Sequence, residues 1–397
     1  MLYLLKKPVL DDKLRILGST AKFDVCGLPT LFVRRQRDKK FQRFSFIYPA
    51  VGKGGCVRLF KVLQTNCCEG SCYYCANRKE RDFTRISFSP DELARLFIQY
   101  HQKGLVDGLF LSSAIHNSPL HSQEETFKTL WLVRKKYNYK GYIHYKVLPG
   151  CEESLIEECA AFADRLSINL EAPSSHHLAK LSPTKNFSKQ LLSGLRKISE
   201  INKRKPLKAG ITTQLVVGAA GETDKDIINF SYLLYKNYNL WRVYYSGFVP
   251  IKDTPLESLP PCPPVREFRL YQADFLLRGY GFSPDELPFQ RNGNLPQDKD
   301  PKMAWALAHP ERFPIEVNRA EYWELLRVPG IGKISAKRII KKRRESKIST
   351  LDELKALGVV VKRARNFITL KGKFYPSSEN EKDEEENICP QLFLWEE

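Results

Sequence analysis

From about Val57 to Pro250 the chain alternates short apolar runs with longer amphipathic stretches. The apolar runs Val57–Leu63, Gly108–Ser112, Tyr142–Leu148, Arg165–Leu170, Gly210–Val217 and Trp241–Val249 predict six strands. The stretches between them predict helices. Ser89-Pro90-Asp91-Glu92 and Ser122-Gln123-Glu124-Glu125 carry a capping-box pattern, in which a hydroxyl and an acid three residues on satisfy each other's backbone N–H groups. Thr223 with Asp226 offers a third. Strands that alternate with helices fold as a parallel sheet with crossover helices. Six such units in about 195 residues fall short of the roughly 250 that a closed eight-stranded barrel needs, so the expected fold class is α/β, a (βα)6 partial barrel.

Composition sets the surroundings of this core. The chain has 397 residues, 42% of them hydrophobic, which is ample for a packed interior. No run approaches the roughly 20 apolar residues of a bilayer-spanning helix, so no membrane association is expected. The opening MLYLLKKPVLDDK is too short an apolar run for a signal peptide, and the ten cysteines show no regular framework. A reducing, cytoplasmic location is the expectation. The formal charge is +19, and since residues 376–397 are acidic, with net charge −7, the body carries +26. That surplus favours a polyanionic partner over a neutral one.

The chemistry concentrates in Cys68-Glu-Gly-Ser-Cys72-Tyr-Tyr74-Cys75, just past the first predicted strand. Three thiolates hold three irons, so a four-iron cluster in this loop would keep one iron open to a small molecule. Zinc is the alternative, but structural zinc sites use paired knuckles and four ligands, and there is no second pair here. Cys67 leaves one ligand choice open. Cys68 is preferred because it supplies the three-residue spacing. The pattern C-x-x-x-C-x-aromatic-C resembles the signature of the radical S-adenosylmethionine (SAM) superfamily. That resemblance implies a 4Fe-4S cluster on Cys68, Cys72 and Cys75, with SAM chelating the open iron through its amine and carboxylate. It also implies reductive cleavage of SAM to methionine and a 5′-deoxyadenosyl radical, with the electron coming from a flavodoxin- or ferredoxin-like reductant.

The resemblance extends to other strand ends, where parallel α/β folds bind ligands. Tyr74 belongs to the motif itself. Ser112 and Ser113 stand where many members have Gly-Gly-Glu for the SAM amine; this is a departure, and serines there also serve as turn formers. Asn169 and Glu171, two apart and so on one face of an extended strand, match positions that bind the ribose hydroxyls. Gly218 lies in a segment similar to the one that runs along the adenine and methionyl groups. Lys185 is a point charge for the SAM carboxylate, or else a solvated lysine. Cys151, Tyr244 and Tyr245 are the candidate catalytic hydrogen-atom donors or relays, each with a plain packing role as the alternative.

The pattern changes beyond Glu321. Leu325 to Ile340 reads as a helix end, the turn Pro329-Gly330-Ile331-Gly332, and a second helix beginning at Lys333. This is a helix-hairpin-helix pattern, which offers backbone N–H groups to a phosphate. A degenerate copy follows about 28 residues later, with Val360 in place of Gly332. Between Leu325 and Tyr375 the net charge is +12, which favours a nucleic-acid backbone. The candidate DNA contacts are Gly330, Gly332, Lys333, Lys337, Lys362 and Arg363. The resulting domain plan is a basic N-terminal extension (1–55), the partial barrel (56–250), an accessory segment packing on it (251–320), a small all-α helix-hairpin-helix domain (321–375) and an acidic tail (376–397). In the extension, Arg34 to Arg43 forms a basic run interleaved with aromatics, either a hairpin or a clamp on nucleic acid. In the tail, Leu392 to Trp395 is a candidate docking element.

Taken together, these features resemble a bacterial family of radical SAM proteins assigned to DNA modification or repair. Its members are often associated with a uracil-DNA-glycosylase-like protein, which implies such a partner. Two readings compete with a DNA-modifying enzyme: a non-catalytic iron–sulfur protein that binds DNA and senses redox state, and a radical SAM enzyme acting on structured RNA.

Overall fold

The computed structural model describes residues 10–21, 45–52 and 55–376. The basic run Arg34 to Arg43 and the tail beyond Pro376 lie outside them. The described residues fall into two compact units. The first runs up to Glu222 and resumes over Leu233–Glu267; the second comprises Thr223–Tyr232 and the chain from Phe268 onward.

The first unit is built on a seven-stranded sheet whose spatial order follows the chain: β1 (Ile47–Gly52), β2 (Gly55–Leu63), β3 (Gly108–Ser112), β4 (Tyr142–Lys146), β5 (Arg165–Ser167), β6 (Ile211–Val217) and β7 (Arg242–Gly247). β2 to β7 are parallel, and β1 lies antiparallel on the outer edge of β2. The six expected strands are therefore present, each within a few residues of its predicted limits. β1 was not foreseen; its hairpin with β2 is hinted at only by glycines at 52, 54 and 55. The sheet interior is apolar where it meets the helices, with Phe60, Leu109, Leu111, Ile143 and Val243 essentially inaccessible. The first parallel pair is pinned at its base by Arg58, whose guanidinium forks onto the Asp107 carboxylate at 2.9 and 2.6 Å.

Helix starts follow local chemistry. Ser89 caps Pro90–Gln102 in a complete capping box with Glu92. Thr223 and Asp226 exchange the equivalent bonds at the start of Asp224–Tyr238. The Ser122 expectation is corrected: the helix there begins one turn earlier, at Pro119, because Ser118 supplies the cap and Pro119 is suited to the first helical position. Ser122 is buried inside that helix and bonds to both backbone groups of His116.

The second unit contains helices Pro264–Gly279 (from Phe268 onward), Pro301–Ala308, Tyr322–Leu325, Lys333–Glu345, Leu351–Ala356 and Val361–Ala364. The expectation of an all-α domain is corrected. Ile315–Glu316, Ile368–Leu370 and Lys373–Phe374 form a three-stranded sheet. Strands of two or three residues are too short for alternation to reveal them in sequence. Glu316 stitches this sheet together, its carboxylate accepting from the Lys371 and Gly372 amides, the Asn318 side chain and the Thr369 hydroxyl. Two successive turns, at Gly330 and Gly358, both take positive φ. They are joined by the Val360 amide, which donates to the Gly330 carbonyl at 2.9 Å. Among the described residues, no helix is long and apolar enough to cross a membrane.

Candidate functional site

At the C-terminal ends of the parallel strands lies a cavity of about 320 Å3. Leu63, Ser113, Lys146, Asn169, Val216 and Ser246, drawn from the ends of six successive strands or the residues just past them, all line it. A flat sheet would spread six strand ends over roughly 24 Å, at about 4.8 Å per strand. The sheet is therefore curled and partly barrel-like, and the cavity is its mouth.

Cys68, Cys72 and Cys75 enter this cavity on the loop that follows β2, together with Tyr74. The loop is closed by two residues that the sequence did not announce. Asn66 is fully buried. Its side-chain amide donates to the Thr84 carbonyl at 3.0 Å and accepts from the Ile86 amide at 2.7 Å. Arg85 reaches five backbone carbonyls, those of Asn66, Asn77, Arg78, Lys79 and Arg81, at 2.5 to 3.3 Å. Its guanidinium also lies 3.9 Å from the Phe83 ring centre. Residues 66–86 are thus a compact loop held from within, and its three cysteines line the cavity.

The sulfurs have few protein partners. Cys68 and Cys75 each accept from the backbone amide two residues on, at 3.4 Å, and the Cys72 sulfur lies 3.2 Å from the Ser182 hydroxyl. Cys67 is not part of the cavity wall and faces the Ser87 hydroxyl at 3.8 Å. Burial, and then the neighbouring Cys72, push the Cys75 thiol up to about 12. A thiol buried in this way ionises only against a cationic centre, which is what a cluster of irons provides. Among the described residues, no group of three His, Cys, Asp or Glu side chains is arranged to hold a metal ion. The chemistry of three cysteines in one short loop fits an iron–sulfur cluster, which takes one thiolate per iron.

Across the cavity, Glu171 and Lys185 form an ion pair at 2.7 Å. The Lys185 side chain is 16% exposed, so it is not the solvated lysine considered above. Burial opposes its charge, yet Glu171, and beyond it Tyr74 and Cys72, hold its ammonium well above the usual lysine range. Burial and the Glu171 charge likewise push the Tyr74 phenol well up, which keeps it neutral. Glu171 adopts φ +66, a strained conformation for a side chain of its size, and its amide and carbonyl are tied to Gln214 and Val216 of β6. That kink throws the carboxylate into the cavity beside Asn169.

The remaining candidates separate. Ser113 lines the cavity and its hydroxyl bonds to the Ala114 carbonyl, whereas Ser112 is buried behind the wall. Gly218 is also outside the wall. Its φ of +93, and the Cys262 Cβ 3.0 Å from where a side chain would begin, account for the glycine by packing. The turn from Gly218 to Gly221 is held by Glu222, another residue the sequence reading passed over, whose carboxylate accepts from the Gly218 and Ala220 amides. Cys151, Tyr244 and Tyr245 do not line the cavity. The Tyr244 hydroxyl accepts from Arg165 lower in the sheet, Tyr245 is fully buried, and the Cys151 thiol contacts the Glu152 carbonyl. In the second unit, Arg363 pairs with Asp300, the cap of helix Pro301–Ala308, and Lys333 lies over the Phe275 ring at 5.0 Å. Gly330 is required where it stands, since a side chain would meet the Val360 carbonyl at 2.5 Å. Gly332 begins helix Lys333–Glu345; Lys337 is exposed on that helix and Lys362 is half-buried.

Residues 62–231, which include the cysteine loop and most of the cavity wall, match the radical SAM superfamily. These residues, under half of the chain, form a segment of radical SAM type. Radical SAM proteins cleave SAM reductively at a 4Fe-4S cluster, and the matched segment carries the three-cysteine loop that such a cluster requires. Among solved structures, the radical SAM segment is similar to the FeFe-hydrogenase maturase HydG from Carboxydothermus hydrogenoformans, with 13% identity, 54% of this chain and 50% of that chain covered, and a TM-score of 0.44. It is also similar to methylornithine synthase (PylB), with 12% identity, 54% and 60% covered, and a TM-score of 0.43. A third is the radical SAM methyltransferase TsrM from Kitasatospora setae with cobalamin and a 4Fe-4S cluster bound, with 10% identity, 75% and 71% covered, and a TM-score of 0.39. The chain spans about half the length of the first of these and three fifths of the second. No curated protein matches the chain significantly.

Proposed function

We propose that the protein is a radical SAM enzyme that modifies or repairs DNA. In this reading Cys68, Cys72 and Cys75 hold the 4Fe-4S cluster at the mouth of a (βα)6 partial barrel, and Asn169, Glu171 and Lys185 bind the polar groups of SAM. When bound, cluster and SAM together supply a 5′-deoxyadenosyl radical for hydrogen abstraction. The protein's part is to hold the reactants and exclude water. The Glu171–Lys185 pair presents one charge of each sign, complementary to an amino-acid zwitterion.

The observation that carries the DNA reading lies in the second unit. The glycine turns at Gly330 and Gly358 lead into helices Lys333–Glu345 and Val361–Ala364, and the first of these exposes Lys337, Arg338, Lys341 and Arg344. Paired hairpins with that charge support a helix-hairpin-helix element that grips a phosphate backbone without reading bases. A target base within a duplex would be flipped out or already unpaired.

The test is 5′-deoxyadenosine formation by the anaerobically reconstituted protein with SAM and a reductant, alone and with undamaged DNA, lesion-containing DNA or structured RNA. Formation that rises with DNA supports the proposal. A rise with RNA alone moves the substrate to RNA, and no product despite a bound cluster favours a redox-sensing DNA-binding protein.

A further inference from the structure

We propose that Ser182 tunes the iron–sulfur centre, its hydroxyl donating a hydrogen bond to the Cys72 sulfur and raising the cluster's reduction potential. The inference rests on the radical SAM reading of the three cysteines and goes beyond it, because Ser182 belongs neither to the cysteine motif nor to the cofactor-binding strand ends. Ser182 and Cys72 are 110 positions apart and both are buried, with Ser182 2% exposed and Cys72 8% exposed. The approach is built. The Tyr73 amide donates to the Leu181 carbonyl at 2.8 Å, directly beside the Ser182–Cys72 contact at 3.2 Å. The Ser182 amide in turn donates to the Leu178 carbonyl at 2.9 Å, which fixes its backbone at the end of the short helix Ser175–Ala179.

Chemistry sets the direction of the bond. An iron-bound cysteine sulfur has no proton and can only accept, so the single hydroxyl proton of Ser182 points at it. The Thr184 hydroxyl lies 3.4 Å from that of Ser182 and can donate to it once the Ser182 proton is committed to the sulfur. Cys68 and Cys75 take their hydrogen bonds from the backbone amides of Gly70 and Asn77, which no side-chain change short of proline removes. Cys72 takes its bond from a side chain, and so this one can be tuned. A donor at a thiolate sulfur withdraws electron density from the iron and favours the form with one more negative charge. One electron passes from the low-potential donor, and no bond forms or breaks in that step.

The experiment is a potentiometric titration with EPR detection on full-length reconstituted protein: wild type, Ser182→Ala and Ser182→Thr, each with its iron and sulfide content measured. Ser182, Pro183, Asn186 and Phe187 line a separate cavity of about 320 Å3, so threonine, which keeps the hydroxyl, is the conservative variant at this position. The expected result is a more negative midpoint potential for Ser182→Ala at full iron content, restored by Ser182→Thr. An unchanged midpoint in Ser182→Ala, or the same shift in both variants, overturns the proposal. Loss of iron from Ser182→Ala also overturns it and assigns the hydroxyl to holding the loop. A wild-type protein that takes up no four-iron cluster overturns the radical SAM reading itself, an outcome distinct from these.

Discussion

Replacing Arg85 with methionine removes the clamp that closes the cysteine loop, and the cost can be worked from its contacts. The guanidinium makes five bonds to backbone carbonyls, those to Asn66 and Asn77 at 2.8 Å and those to Arg78, Arg81 and Lys79 at 2.5, 3.0 and 3.3 Å. A charged donor on a carbonyl contributes about 1.5–3 kcal/mol when both are shielded from water. Here the Lys79 bond is long and solvent-exposed, and water can reach some of the freed carbonyls, so a net loss of about 3 kcal/mol is the reasonable sum. At about 1.4 kcal/mol per tenfold change, opening of the loop should become roughly 150-fold more frequent. Hydrogen exchange on the iron-free protein measures this directly and does not depend on cofactor loading. The reporting amides are those of Asn66, Arg78, Lys79 and Ile86, all hydrogen-bonded within the loop or across its neck, and helix Pro90–Gln102 is the internal control. Arg85→Lys keeps the charge but cannot span five acceptors, so it should fall between. A change of less than about fivefold at all four amides, about 1 kcal/mol, would refute the claim that Arg85 closes the loop.

Cys72→Ala should abolish cluster iron and SAM cleavage whereas Cys67→Ala should retain both, as iron analysis will show; equal loss would undo the ligand assignment. Glu171→Gln leaves Lys185 charged and enclosed, and because the cavity admits some water the expected cost is about 2–3 kcal/mol, below the 3–5 of a sealed pair. Chemical denaturation measures it, and adding Lys185→Met to the same chain should recover much of the loss. Burial alone would raise the Glu316 carboxyl above its ordinary value of 4.5, but donors from Gly372, Asn318 and Thr369 outweigh it and hold it below. Because its folded pKa is depressed, the stability it contributes is present above pH 4.5 and is lost as pH falls through the folded value; acid titration of Glu316→Gln should lack that component. If the second unit grips a phosphate backbone, the Lys337→Gln/Lys341→Gln pair should weaken binding alike for all DNA sequences and lower the salt slope by about two, read from affinities at several salt concentrations.

What the sequence disclosed follows from which interactions leave a periodic or spaced trace. Apolar strands flanked by capped helices do, and so β2 to β7 and the Ser89 cap were readable in advance. Three cysteines at fixed spacing also do, because one small group must be met by one short loop. Ser118 competed with Ser122 for the same helix start and won through its proline neighbour, a choice that only the order of adjacent residues encodes. The small sheet around Glu316 escaped because its strands are shorter than one period of alternation.

The deeper omission concerns the polar residues that hold the site. Asn66, Arg85, Ser182 and Glu222 act mainly on backbone groups or on a sulfur distant in sequence, and none belongs to a spacing that physics dictates locally. Arg85 looks in sequence like any surface arginine in a basic chain. Only the closure of the loop brings five carbonyls within its reach, and only the curl of the sheet carries Ser182 to Cys72. The chemistry of such a site is therefore written in its ligands, whereas its rigidity and its potential depend on residues whose roles exist only once the fold does. That is why the Arg85 and Ser182 substitutions probe this protein more sharply than further changes to the cysteines, which any iron-binding reading would predict to be fatal.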